Sequence, residues 1–144
     1  IGALLAGATP AALACLETYG THVGVAFGLR DDVLGLWGDP ARPGKPAGDD
    51  LVAGKATVLL ALAADRLPPA GRTLLADAGT GRLGEAEAAQ LLGLMERSGV
   101  PEAAEHLIAE EVVRALAALD PDHVTDDGIA GLTAVSRLAA WRDA

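Results

Sequence analysis

An all-α domain is what this sequence predicts, on three observations. Alanine and leucine carry most of a 51% hydrophobic content while aromatics are only 3%, and both residues are strong helix formers. Apolar residues recur at helical spacing in segments that proline and glycine punctuate. No run shows the alternation of a half-buried strand, and there is neither an internal repeat nor a low-complexity tail. A length of 144 residues corresponds to one domain with one core of ordinary size.

The opening run IGALLAG reads as helix with no cap before it. Thr9 then serves as an N-cap, with Pro10 at the first helical position, where its missing N–H is harmless. From there Leu13, Leu16, Val23, Phe27, Leu34 and Trp37 keep helical spacing, which predicts one long helix to about Gly38 with Gly20 as its candidate break. The stretch GDPARPGKPAGDD holds three prolines and three glycines and reads as a loop. Asp49 or Asp50 caps the next helix, LVAGKATVLLALAADR, which Pro68 and Pro69 end. Further helices are predicted over about 70–80, 84–98, 101–119 and 126–141, the last two opened by Pro101-Glu102 and by Thr125-Asp126-Asp127.

The formal charge of −9, from 20 acidic and 11 basic residues, argues against nucleic-acid binding through the phosphate backbone. An anionic ligand would have to be met by local lysines, arginines or a metal ion. Cys15 has no second cysteine to pair with and reads as a core residue in a reducing compartment. No stretch has the roughly 20 uncharged apolar residues of a membrane span, and no basic segment precedes an apolar run. A soluble, cytoplasmic protein is expected.

Against that background residues 27–50, FGLRDDVLGLWGDPARPGKPAGDD, concentrate charge in a small span. On a helix Asp31 and Asp32 point about 100° apart, flanking one edge of a face. Mg²⁺ commonly takes one or two carboxylates and leaves its other positions to water and phosphate, so these two suffice as metal ligands. Lys45 in the loop and Lys55 beyond it bring ammonium groups for phosphate oxygens, and Asp49 and Asp50 anchor the loop or reach a metal through water. The plainer alternative is a solvated helix end followed by exposed lysines. Elsewhere, His22 reads as a surface or packed histidine, Trp37 as core, and Arg30 as a local partner of Asp31. The acidic pairs Glu85/Glu87, Glu102/Glu105, Glu110/Glu111 and Asp126/Asp127 read as helix starts and polar faces.

The order of these residues resembles the C-terminal half of the all-trans isoprenyl (polyprenyl) diphosphate synthases, in particular the geranylgeranyl diphosphate synthase type. The resemblance begins at IGALLAGA and runs through Tyr19-Gly20, Gly24, Ala26-Phe27, Asp31-Asp32, Gly38-Asp39-Pro40, Gly44-Lys45-Pro46, Gly48, Asp50-Leu51 and Gly54-Lys55. It is most specific between residues 19 and 60 and continues weakly into the helical tail. It implies the C-terminal portion of an isoprenoid synthase-type helical bundle around a cavity. Asp31 and Asp32 would hold Mg²⁺ against an allylic diphosphate, with Lys45 and Lys55 on its oxygens, Asp50 beside them, and Phe27 lining the prenyl cavity.

The implied activity is that of a trans-prenyltransferase condensing an allylic diphosphate with isopentenyl diphosphate, in isoprenoid biosynthesis of short to medium chain length. A homodimer, or pairing with an N-terminal fragment, is implied as well. Two positions depart from the family pattern: Gly35 stands where a third carboxylate often follows Asp31, with Asp39 as a partial substitute, and Gly28 stands where glutamine usually follows the phenylalanine. The family's first aspartate-rich motif belongs upstream of Ile1, so the expectation is a chain that acts only when completed by that half. The alternatives are a non-catalytic synthase-like subunit and a helical interaction module without a diphosphate ligand.

Overall fold

The computed structural model describes residues 1–38, 48–78, 80 and 82–141. Among the described residues the regular elements are all helices: α1 (Gly2–Leu5), α2 (Pro10–Trp37), α3 (Asp49–Val52), α4 (Val58–Arg66), α5 (Pro69–Ala78), α6 (Glu85–Arg97), α7 (Val100–Ala117) and α8 (Asp126–Ala140). The all-helical expectation holds.

Thr9 caps α2 as expected: its Oγ1 accepts from the N–H of Ala12 at 3.2 Å, satisfying one of the donors that a helix start leaves without an intrahelical partner. The helix then runs 28 residues without interruption. Gly20 does not break it, because an interior glycine costs only about 1 kcal/mol relative to alanine and the flanking turns are tethered through packing. One such tether is adjacent Tyr19, which is buried and donates its hydroxyl to the Leu132 carbonyl at 2.6 Å.

The single helix expected after the loop is instead two, α3 and α4, and the reason is Gly54. Its φ of +67° lies in the left-handed region that glycine enters without steric cost. Gly54 N–H bonds the Leu51 carbonyl at 3.1 Å and Lys55 N–H bonds the Asp50 carbonyl at 3.0 Å, the paired bonds of a Schellman helix end. At the other end of α3, the N–H groups of Leu51 and Val52 both reach the Gly48 carbonyl, at 2.9 and 3.1 Å. Gly48 thus holds the capping position, and Asp49 and Asp50 fall inside the first turn rather than before it. Gly48 N–H in turn bonds the Leu36 carbonyl at 2.8 Å, tying α3 to the end of α2.

The remaining boundaries fall within two residues of expectation. Pro69, expected as a helix stop, opens α5, where a proline's fixed φ suits the first position. The side chain of Glu87 reaches back to the N–H of Gly84 at 2.9 Å to start α6, and Thr125 Oγ1 accepts from Gly128 N–H at 3.2 Å to start α8.

The described residues divide into two compact units, Ile1–Gly28 with those from Leu107 to Trp141, and Leu29–His106. In the second, α3 and α5 pack on α6 and α4 packs on α5, around a core that includes Leu36, Leu51, Leu59, Leu67, Leu91, Met95 and Val100. Burying each such side chain contributes roughly 1.5–3 kcal/mol. Trp37 packs against this core as expected. In the first unit Tyr19, Ala115 and Leu119 gather Leu16, Val23, Ile129 and Leu132. Burial pushes the Tyr19 phenol up from its ordinary value, partly offset by a hydrogen bond with Ser136.

Candidate functional site

The site lies in the second unit, where the last turns of α2 face α3 and the turn after it. Asp32 on α2 and Asp50 on α3 converge on one cation. The Lys55 ammonium sits 3.3 Å from Asp32 Oδ1 and 3.1 Å from Asp50 Oδ2. Local folding explains the convergence. The left-handed Gly54 reverses the chain at the end of α3, so that Lys55, whose N–H is bonded to the Asp50 carbonyl, turns its side chain back over the carboxylate of the same residue. Leu51, fully buried, holds α3 in the core meanwhile.

The two carboxylates are largely covered, at 19% and 16% side-chain exposure, while Lys55 is half-exposed at 50%. The hydrogen bond to Asp50 raises the Lys55 pKa, burial opposes it, and Asp32 adds to the rise. The ammonium therefore stays charged, a fixed cation between two carboxylates at the edge of solvent.

One close approach shapes this arrangement. Gly35, buried on α2, faces Asp50, and a Cβ built there would fall 2.0 Å from Asp50 Oδ2 and 2.7 Å from its Cγ. The missing side chain at 35 is the space that the Asp50 carboxylate occupies. In the sequence Gly35 is the loss of a carboxylate; in the fold a carboxylate from position 50 takes its place, and no local pattern relates the two positions.

Of the other expected site residues, Asp31 lies one residue before Asp32 on the exposed side of α2, and Phe27 is 42% exposed in the first unit. Lys45, Asp39 and the side chain of Asp49 lie outside the described residues. Arg30 does not serve as a local partner of Asp31 alone. Its guanidinium makes a two-pronged pair with Glu105 of α7, both bonds at 2.7 Å, and its side chain is only 12% exposed. Glu105, read in the sequence as a polar-face residue, is thus the counter-ion of a half-buried arginine. His22 also has a specific partner, Glu111 at 2.7 Å, which Arg114 contacts as well.

Oxygen donors on two segments with a cation already between two of them fit a hard divalent ion such as Mg²⁺. Among the described residues no group of three or more His, Cys, Asp or Glu side chains converges tightly enough to enclose a metal. Magnesium held here would therefore keep most of its positions for water and ligand oxygens, which is how it usually binds beside phosphates.

Comparison with known proteins bears directly on this geometry. The polyprenyl synthetase family profile matches residues 1–95, a span that includes Asp31, Asp32, Gly35, Asp50 and Lys55. The chain belongs to the polyprenyl synthetase family. It is similar to geranylgeranyl diphosphate synthase of Mycobacterium tuberculosis, 36% identical over 99% of this chain and 40% of that protein. Among solved structures it is similar to geranylgeranyl pyrophosphate synthase of Corynebacterium glutamicum, complexed with isoprenyl diphosphate and magnesium. The TM-score is 0.84 and the identity 40%, over 99% of this chain and 41% of that one. Polyprenyl synthase of Caulobacter crescentus, complexed with calcium and isoprenyl diphosphate, matches with a TM-score of 0.84 at 34% identity, over 99% of this chain and 44% of that one. The chain thus spans about two fifths of the length of these three relatives.

Proposed function

We propose that this chain forms part of the active site of a Mg²⁺-dependent trans-prenyltransferase, a polyprenyl diphosphate synthase that joins an allylic diphosphate to isopentenyl diphosphate. The observation that carries the reading is the shared cation: carboxylates from α2 and α3, within the family-matched residues, both point at the Lys55 ammonium. Such a site has the charge of both signs that a metal-bound diphosphate needs.

Bound magnesium would supply charge neutralisation for a departing diphosphate. The chain's own part is to hold and orient. Asp31 and Asp32 are the metal ligands, and Asp50 stands beside them. Lys55 swings from its carboxylates to the diphosphate oxygens, and Lys45 is the second lysine assigned to the same oxygens. A preformed set of charges aimed at the leaving group stabilises it more than water can, because little reorganises during the reaction. Phe27 lines the prenyl cavity.

The rest of the site, including the groups that take isopentenyl diphosphate, is supplied by further polypeptide, either continuous with this chain or paired with it, and the assembly is a cytoplasmic homodimer. Among the described residues no helix is long and apolar enough to cross a membrane.

The test is calorimetric titration of the purified protein with an allylic diphosphate in the presence and absence of Mg²⁺. Asp32→Asn is expected to weaken the Mg²⁺-dependent binding by tenfold or more, about 1.4 kcal/mol or beyond, with helicity unchanged by circular dichroism. Equal affinity with and without Mg²⁺, or an Asp32→Asn protein that binds like the parent, would sink the reading and leave a helical interaction module.

A further inference from the structure

We propose that Gly35 is a positioning residue of this site. Because it carries no side chain, the Asp50 carboxylate comes to rest against α2, and two carboxylates from separate segments close on one cation. The inference rests on the diphosphate-site reading above and deepens it by saying what places the second carboxylate.

The argument is steric first. Atoms 2.0 Å apart, the distance from a Cβ at 35 to Asp50 Oδ2, lie far inside contact, so any residue but glycine moves something. What moves is the Asp50 carboxylate, the free end of a side chain, rather than the backbone of a helix that is intact on both sides of position 35. Gly35 is not required for a bend or a left-handed turn, since α2 runs through it. Nor is helix propensity a reason for it, because glycine is a poor choice inside a helix.

The second strand of the argument is electrostatic. The displaced oxygen would be Oδ2, the same atom that receives the Lys55 ammonium at 3.1 Å. A side chain at 35 would therefore separate Asp50 from Lys55 and from the Asp32 side of the site in one movement. With Gly35 in place, a cation arriving between Asp32 and Asp50 competes with Lys55, and the ammonium it releases is then available to an anionic ligand.

The experiment uses Mn²⁺ as the metal probe, followed by its electron paramagnetic resonance signal, and acetylation of Lys55 by acetic anhydride, followed by peptide mass spectrometry. Gly35→Ala is expected to weaken Mn²⁺ binding about tenfold, as loss of a supporting partner at a metal site commonly does. It should also speed acetylation of Lys55 severalfold, while thermal stability holds or rises because alanine favours helix. A merely structural glycine would show the stability change without the other two. The double variant Gly35→Asp with Asp50→Ala returns a carboxylate to the same volume from α2 and should recover most of the Mn²⁺ affinity lost in Asp50→Ala alone.

If the parent binds Mn²⁺ and Gly35→Ala binds it equally well with unchanged acetylation, the assignment is overturned and the site reading survives. If the parent binds no Mn²⁺ with an allylic diphosphate present, both are overturned.

Discussion

Arg30 and Asp31 are adjacent in sequence, yet the guanidinium is committed to Glu105 on another helix through two parallel bonds. The planar fork of arginine matches a carboxylate in a way that the single ammonium of lysine cannot. Arg30→Lys should therefore cost about 1 kcal/mol of stability, a figure kept low because Glu105 is 45% exposed and solvent screens the pair. Urea unfolding of Arg30→Lys, Glu105→Gln and the double variant would measure it; additive single effects would show that the pair contributes nothing. At Asp31, Asp32 and Lys55 the residue types by themselves pointed to the role that we propose for them. The pairing of Lys55 with Asp50 did not, because it depends on a six-residue turn, Asp50 to Lys55, whose hand is set by one glycine.

That turn belongs to the scale of the element. Hydrophobic spacing across residues 50–66 is compatible with a continuous helix, and Gly54 alone does not forbid one, so sequence reasoning extended the helix across it. The structure divides it because the left-handed conformation at Gly54 lets Lys55 and Gly54 satisfy the last carbonyls of α3. Gly54→Ala is expected to destabilise the fold by about 1–2 kcal/mol, the penalty of a Cβ in the left-handed region. It should also weaken Mg²⁺-dependent diphosphate binding by displacing Lys55. Chemical denaturation together with calorimetry would check both. A variant with unchanged stability would mean that α3 and α4 can fuse without loss. By contrast α2 and α8 were readable nearly to the residue, because their starts are written locally: Thr9 before Pro10, and Thr125 before Asp126-Asp127.

For the whole molecule, each of the two units has a core of its own and a charged cluster with its own pH dependence. In the first, burial pushes the Glu111 carboxyl up but is outweighed by the hydrogen bond from His22 and the contacts with Arg114, so its pKa falls below 4.5. A depressed folded-state value means that the stabilisation is present above the unfolded value and is lost as pH falls through the folded one. In the second, the raised pKa of Lys55 gives stabilisation that is complete below 10.5 and lost as pH climbs through the folded value. Stability measured by urea unfolding should accordingly fall below about pH 4.5, and Glu111→Gln should flatten that acid limb while lowering stability near neutrality. An acid limb unchanged by Glu111→Gln would assign it to other carboxylates.

The sequence by itself determined the helical class and the identity of the family, and it marked the stretch on which the proposed site rests. Each of those depends on composition, on periodicity or on residues close together in the chain. Tertiary structure alone decided which charges meet: Arg30 with Glu105, His22 with Glu111, and Asp32 with Asp50 across Lys55. It alone also showed that the empty position at Gly35 is filled by a carboxylate from the next segment. Such pairings join residues separated by loops or by other helices, and their distances are set by how helices pack, which no local pattern encodes.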